Sequence, residues 1–144
     1  MAAIFDIERE SFSVPWSAGE FDSLIRGGRT EFFAAIDDPL PPKEPAVAGY
    51  GMVYIVKEAA AADIVNIAVA ERFRRQGVAT MLIGRLEDVC AAKGADNIYL
   101  EVRRGNSAAR ALYEKLGYRQ VGVRKNYYIK PVEDAVVMLK VCYT

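Results

Sequence analysis

Residues 64–103 read IVNIAVAERFRRQGVATMLIGRLEDVCAAKGADNIYLEVR, and the fold is decided within this stretch. Ile64 to Val69 has the β-branched composition of a strand. A polar, basic loop follows from Arg72 to Gly77. Beyond it Ala79, Leu82, Ile83, Leu86, Val89 and Cys90 keep helical spacing up to a stop at Lys93-Gly94. Ile98, Leu100 and Val102 then alternate with Tyr99 and Glu101, a half-buried strand of period two. The segment Arg74-Arg75-Gln76-Gly77-Val78-Ala79 therefore joins a strand to the start of a helix, where several backbone N–H groups lack partners and the helix dipole is positive. Small residues let an anion approach that backbone, and arginines add charge-assisted bonds, which describes a phosphate site. A P-loop would need Gly-Lys-Ser/Thr where Val78-Ala79 stand, and a dinucleotide loop would need three spaced glycines where Gly77 stands alone. From this segment by itself, a solvated basic turn is an equal reading.

Working outward, Ile4 to Phe12 reads as a short amphipathic helix, followed by the turn-like Val14-Pro15-Trp16-Ser17. Ser17 can cap a second helix through Glu20, Leu24 and Ile25 that stops at Gly27-Gly28. Thr30 to Ile36 reads as a strand, and Pro39, Pro41, Pro42 and Pro45 form a stiff connection. Val47 to Val56 has strand composition, with Glu58 to Asp63 as the connection into Ile64 to Val69. On the C-terminal side, Asn106 can cap a helix carrying Ala109, Leu112, Tyr113 and Leu116, closed by Gly117. Strands are expected around Gln120 to Val123 and Ala135 to Cys142, separated by a loop holding Tyr127, Tyr128 and Pro131. The order makes a mixed α/β domain.

At 144 residues one domain is expected, with 52% hydrophobic and 26% charged residues. Nineteen basic residues balance nineteen acidic ones, which argues against direct nucleic-acid binding by phosphate neutralisation. The local clusters Arg72, Arg74, Arg75 and Arg103, Arg104 suit one small anionic ligand better. There is no histidine, and the two cysteines, Cys90 and Cys142, lie far apart in apolar surroundings as expected for inert buried thiols. Zinc sites of the usual kind, Ser-His-Asp triads and Cys-His dyads are excluded, and no metal is expected. No apolar run approaches the roughly 20 residues that span a bilayer. Met1 to Arg9 lacks the layout of a secretory signal, so a cytoplasmic location is expected, away from membranes.

The loop Arg74 to Ala79 resembles the Q/R-x-x-G-x-G/A signature of the GNAT acetyltransferases, in which it holds the CoA pyrophosphate. Ala79 takes the last small position, where glycine is common and alanine is allowed. The resemblance continues through Asn66-Ile67-Ala68-Val69, Tyr99-Leu100-Glu101-Val102-Arg103, Asn106-Ser107-Ala108-Ala109 and Ala111 to Tyr118. Arg124-Lys125-Asn126-Tyr127-Tyr128 and Pro15-Trp16-Ser17 are similar to the RimI type, which acetylates the N-terminal alanine of a small-subunit ribosomal protein. These blocks cover most of the chain in order. They imply the GNAT fold, a central mixed and mostly antiparallel sheet flanked by helices. The family usually opens with a strand, whereas this chain begins almost directly in helix, so a missing first strand and an open sheet edge are expected.

The resemblance implies acetyl-CoA as co-substrate and direct transfer to the N-terminal segment of a protein, with a ribosomal protein as leading substrate. It implies that Ile67, Ala68 and Val69 present backbone to the pantetheine arm and that Arg74, Arg75, Gln76, Gly77, Val78 and Ala79 wrap the pyrophosphate. Asn106, an N-cap by its position, gains a CoA contact by resemblance. Glu101 points away from Leu100 and Val102 by alternation; it is either a carboxylate paired with an arginine or, by resemblance, the general base. Tyr113 fits a helix core by pattern, and by resemblance donates the proton to the leaving thiolate. Tyr127 and Tyr128 are walls of a peptide groove or simple edge packing. An α-amine of pKa about 7.7–8.0 is partly neutral at pH 7, whereas a lysine of about 10.4 is not, which agrees with an N-terminal substrate. Acetylation of lysine or a small-molecule amine, and a non-catalytic CoA sensor, stay open.

Overall fold

A computed structural model describes residues 1–142. In chain order the elements are α1 (Ala2–Ser11), α2 (Ala18–Arg26), β1 (Thr30–Asp37), β2 (Ala46–Val56), β3 (Ala61–Val69), α3 (Val78–Ala92), β4 (Asn97–Arg103), α4 (Ser107–Lys115), β5 (Arg119–Tyr128) and β6 (Glu133–Val141). Ser17 caps α2 by accepting from the Glu20 amide while Glu20 accepts from the Ser17 amide, a reciprocal capping box. The strands form one sheet in the order β1-β2-β3-β4-β6-β5. Every pairing is antiparallel except β3 with β4. The mixed, mostly antiparallel sheet between helices is thus the expected architecture. The first element is a helix, and β1 has β2 as its one neighbour among the described residues.

Each face of the sheet has its own apolar cluster. Ile83, Leu86 and Cys90 of α3 and Tyr113 of α4 pack with Val53, Ile98, Leu100 and Val102. Ile4 and Ile7 of α1 and Phe21 of α2 pack with Tyr50, Met52 and Ala68. Phe21 is fully buried, and a side chain of that kind contributes roughly 1.5–3 kcal/mol by leaving water. Glycine at position 49 lets neighbouring chain lie close: a Cβ there would meet the Ala68 carbonyl oxygen at 2.7 Å and Leu82 Cδ1 at 3.3 Å. Cys90 is buried, and that burial pushes its thiol up to about 12, in keeping with an inert group.

Two sequence expectations are corrected. β3 starts at Ala61, so the connection from β2 is a short 3-10 turn at Lys57–Ala59 and a left-handed Ala60, not Glu58 to Asp63. Alanine has weak strand preference, but Ala61 and Ala62 pair with both β2 and β4, and those two ladders override it. β5 runs to Tyr128 rather than ending at Val123, so Tyr127 and Tyr128 close a strand instead of sitting in the loop. The polar run Arg124 to Asn126 hides that strand because it lies on an exposed sheet edge, with irregular register between Arg124 and Tyr128.

Candidate active site

The site begins where the one parallel pairing fails. β3 and β4 are paired from Ala61↔Asn97 to Asp63↔Tyr99 and no further, although both strands continue. The cause lies in β3, where Ile64 faces Val53 but Asn66 faces Met52, leaving Val65 as a bulge. Val65 packs into the α1–α2 cluster and the Asn66 carboxamide reaches Glu8 of α1, so two successive residues turn to the same face. Such a bulge bends its strand. β3 leaves β4, and a cleft of about 1030 Å³ opens between them.

The cleft brings together Ile67, Ala68, Val69, Arg74, Glu101, Asn106, Tyr113, Tyr127 and Tyr128 from the expected set. Arg75, Gln76, Gly77, Val78 and Ala79 do not line it; they continue from Arg74 into the start of α3. Along the opened part of β3, the backbone edge of Ile67 to Val69 has no strand partner on the β4 side.

Gly77 caps α3 with φ 81°, a left-handed conformation that glycine adopts without strain, and among the described residues no side chain caps the first amides of the helix. Arg75 also has positive φ, at 62°. Among the described residues no backbone carbonyl accepts from the amides of Arg75 to Thr80. A Cβ on Gly77 would meet nothing within 4 Å, so the space over this turn is open. Arg74 does not point into that space with its Nε, which donates to the Val69 carbonyl at 3.1 Å. Gln76 donates to the Arg72 carbonyl at 3.1 Å, and Arg72 lies over the Phe73 ring. The anion-binding feature is therefore the turn of free amides, with Arg75 exposed beside it. The expectation for Arg103 and Arg104 is corrected: Arg103 is spent on loop carbonyls and Glu133, and Arg104 pairs with Asp134.

Glu101 and Tyr113 enter the cleft from opposite faces of the sheet. In β4, Ile98, Leu100 and Val102 join the α3–α4 cluster, so Glu101 lies on the α1–α2 face. Its carboxylate accepts an ion pair from Arg124 Nε at 3.2 Å and remains 28% exposed, open to a ligand. Tyr113 comes from α4 on the other face, edge-on to Tyr118 at 6.0 Å. Burial pushes its phenol up to about 12, so it keeps its proton throughout the neutral range. Asn106 caps α4, its side chain accepting from the Ala109 amide at 3.2 Å, and it faces the cleft as well. Tyr127 is 49% exposed; burial and then the charge of Glu101 raise its pKa. It stands edge-on to Tyr128 at 5.0 Å.

Among the cleft residues that the sequence pattern did not single out is Glu8. Glu8 is 1% exposed, yet among the described residues no cation pairs with it; it accepts from Tyr50 Oη, from Asn66 Nδ2 at 3.0 and 3.1 Å, and from the Trp16 amide at 3.0 Å. A signal was present: Glu8 follows Ile4 and Ile7 on the apolar face of its helix, a place where a charge needs dedicated partners. Its bonds join α1, the loop after it, β2 and the bulge of β3.

Residues 1–118 match the model of the Acetyltransferase (GNAT) family. The chain belongs to the GNAT acetyltransferases. It is an acetyl-CoA-dependent N-acetyltransferase. The chain is 35% identical over 143 residues to the [Ribosomal protein bS18]-alanine N-acetyltransferase of Haemophilus influenzae, covering 97% of this chain and 90% of that one. To the enzyme of that name from Escherichia coli K12 it is 33% identical over 140 residues, covering 96% and 88%. The crystal structure of the ribosomal-protein-S18-alanine N-acetyltransferase from Escherichia coli superposes with TM-score 0.82 and 32% identity, covering 99% of this chain and 88% of that one. For a GNAT enzyme the turn at Gly77 fits the co-substrate: unbonded amides, positive helix end and open space suit a diphosphate.

Proposed function

We propose that this enzyme acetylates the N-terminal α-amine of a protein, with the N-terminal alanine of ribosomal protein bS18 as substrate. The observation carrying this reading is that Glu101 of β4 and Tyr113 of α4 line one cleft, reached from opposite faces of the sheet, in a chain whose relatives bear that substrate in their names. The first amides of α3, with Arg75, hold the diphosphate, and the free edge of Ile67 to Val69 takes the pantetheine arm by strand-like hydrogen bonds. Asn106 adds a polar contact. The acceptor chain enters from the α1–α2 face, between the loop Phe12 to Trp16 and the wall formed by Tyr127 to Pro131. A ribosomal substrate implies a cytoplasmic enzyme; among the described residues no helix is long and apolar enough to cross a membrane.

In the reaction Glu101 takes, through water, the proton that the attacking amine must lose. Tyr113 supplies a proton to the sulfur as the carbon–sulfur bond breaks and the amide bond forms, and it is reprotonated from solvent. Acetyl-CoA supplies the activated acetyl group. No step needs a covalent enzyme intermediate. Tyr113→Phe is expected to lower kcat roughly tenfold or more while the midpoint of thermal unfolding stays put, since the ring keeps its packing on Tyr118. An unchanged kcat would remove the phenol from the mechanism.

The pH profile follows from the same group. Tyr113 acts in its protonated form, and that form is lost only as pH rises through about 12. The rate should climb as the acceptor amine deprotonates at about 7.7–8.0 and then level off, with no descending limb as far as pH ~10. A fall between pH 8 and 10 on stable protein would contradict the assignment. The substrate reading itself is tested by comparing a peptide that begins with alanine against the same peptide blocked at its α-amine. CoA release is expected with the free peptide alone; equal release from a blocked peptide containing lysine would favour a side-chain acceptor.

A further inference from the structure

Two loops wall the acceptor side of the cleft, Phe12 to Trp16 after α1 and Ile129 to Pro131 after β5. One guanidinium spans them. Arg103, the last residue of β4, donates through Nη2 to Ser13 Oγ at 3.0 Å and to the Ile129 carbonyl at 2.9 Å. Its Nη1 donates to the Pro131 carbonyl at 3.0 Å and to Glu133 Oε1 at 3.2 Å. The same group lies 4.5 Å over the ring of Tyr128. Among the described residues the other hydrogen bond between the loops is from Ser13 Oγ to the Ile129 carbonyl, at 3.4 Å.

We infer that Arg103 is a positioning residue for the acceptor: it straps the two walls of the groove together and sets Tyr128 against them. The inference rests on the acceptor entering between those walls, as argued above. A planar fork with five N–H donors can serve four acceptors and a ring face at once, whereas the single ammonium of lysine has three donors at one point. The strap lies at the acceptor end. Of the surfaces assigned to acetyl-CoA, Ile67 to Val69 and Gly77 share no hydrogen bond with its guanidinium among the described residues. Asn106 meets Arg103 through the backbone alone, its amide donating to the Arg103 carbonyl at 3.0 Å, a bond that does not depend on the side chain at 103. Holding two walls from separate parts of the chain in one geometry favours a productive approach of the amine, so loosening them should weaken use of the acceptor and leave the donor alone.

The test compares wild type, Arg103→Lys, Ser13→Ala and the double variant in steady-state kinetics with a peptide beginning with alanine. The second readout is acrylamide quenching of Trp16, the sole tryptophan and part of the first loop. Arg103→Lys is expected to raise KM for the peptide about fivefold or more, with KM for acetyl-CoA within about twofold. Ser13→Ala should have a smaller effect, and the double variant should fall short of the product of the two single effects, because both changes remove the shared bond between Arg103 and Ser13. Quenching should increase in Arg103→Lys without any substrate present. Unmoved peptide KM, or a parallel rise in both KM values with a lowered unfolding midpoint, would overturn the inference. Should the wild type fail to acetylate the peptide, the substrate reading falls, and unchanged Trp16 quenching would then refute the strap on its own.

Discussion

Glu101→Gln is expected to lower kcat by roughly 10²-fold or more, the usual loss when a general base is removed, with acetyl-CoA binding intact. The amide is isosteric and keeps an oxygen for Arg124, whose Nε lies 3.2 Å from the carboxylate, so local geometry survives while the proton acceptor disappears. Acetyl-CoA contacts are assigned to β3 and the start of α3, which the change does not touch. Calorimetric titration of the variant with acetyl-CoA, set beside its turnover, separates the two effects. A variant that turns over at the wild-type rate would return Glu101 to the status of a surface carboxylate paired with an arginine.

Glu8→Ala should be the most destabilising single change at the site, by about 3 kcal/mol, because it strands one buried donor and two part-buried ones at once. Tyr50 is fully buried and cannot turn its hydroxyl to water; Asn66 and the Trp16 amide lose the same acceptor. For a chain of this size that loss lowers the unfolding midpoint by about 10 °C. Because Glu8 also fixes the bulge of β3 and the first loop, the surviving fraction of folded protein should show reduced kcat/KM. Thermal and urea unfolding provide the check, and a loss under about 1 kcal/mol would mean that water replaces the carboxylate.

Much of this was legible from residue pattern. The alternation of Ile98, Leu100 and Val102 places Glu101 on the opposite face by pattern alone, and Ser17 and Asn106 announce the two helices they cap. What escaped was set by tertiary contact. The bulge at Val65 has no local signature, since Ile64 to Val69 reads as an ordinary strand; it becomes visible only from the partners of β2. Tyr127 and Tyr128 looked like loop residues because an exposed edge strand tolerates the polar run before them. Arg103 reads as a ligand for an anion, and its charge is instead absorbed by two carbonyls of the loop after β5, by Glu133 and by the Ser13 hydroxyl of the loop after α1.

The most direct measurement is a crystal structure of this enzyme with CoA covalently joined to the α-amine of a peptide beginning with alanine. The account predicts the diphosphate on the amides of Gly77 to Ala79, the junction between donor and acceptor flanked by Glu101 and Tyr113, and the peptide between Ser13 and Tyr128. An analogue bound with its junction outside the gap between β3 and β4, remote from both side chains, would contradict it.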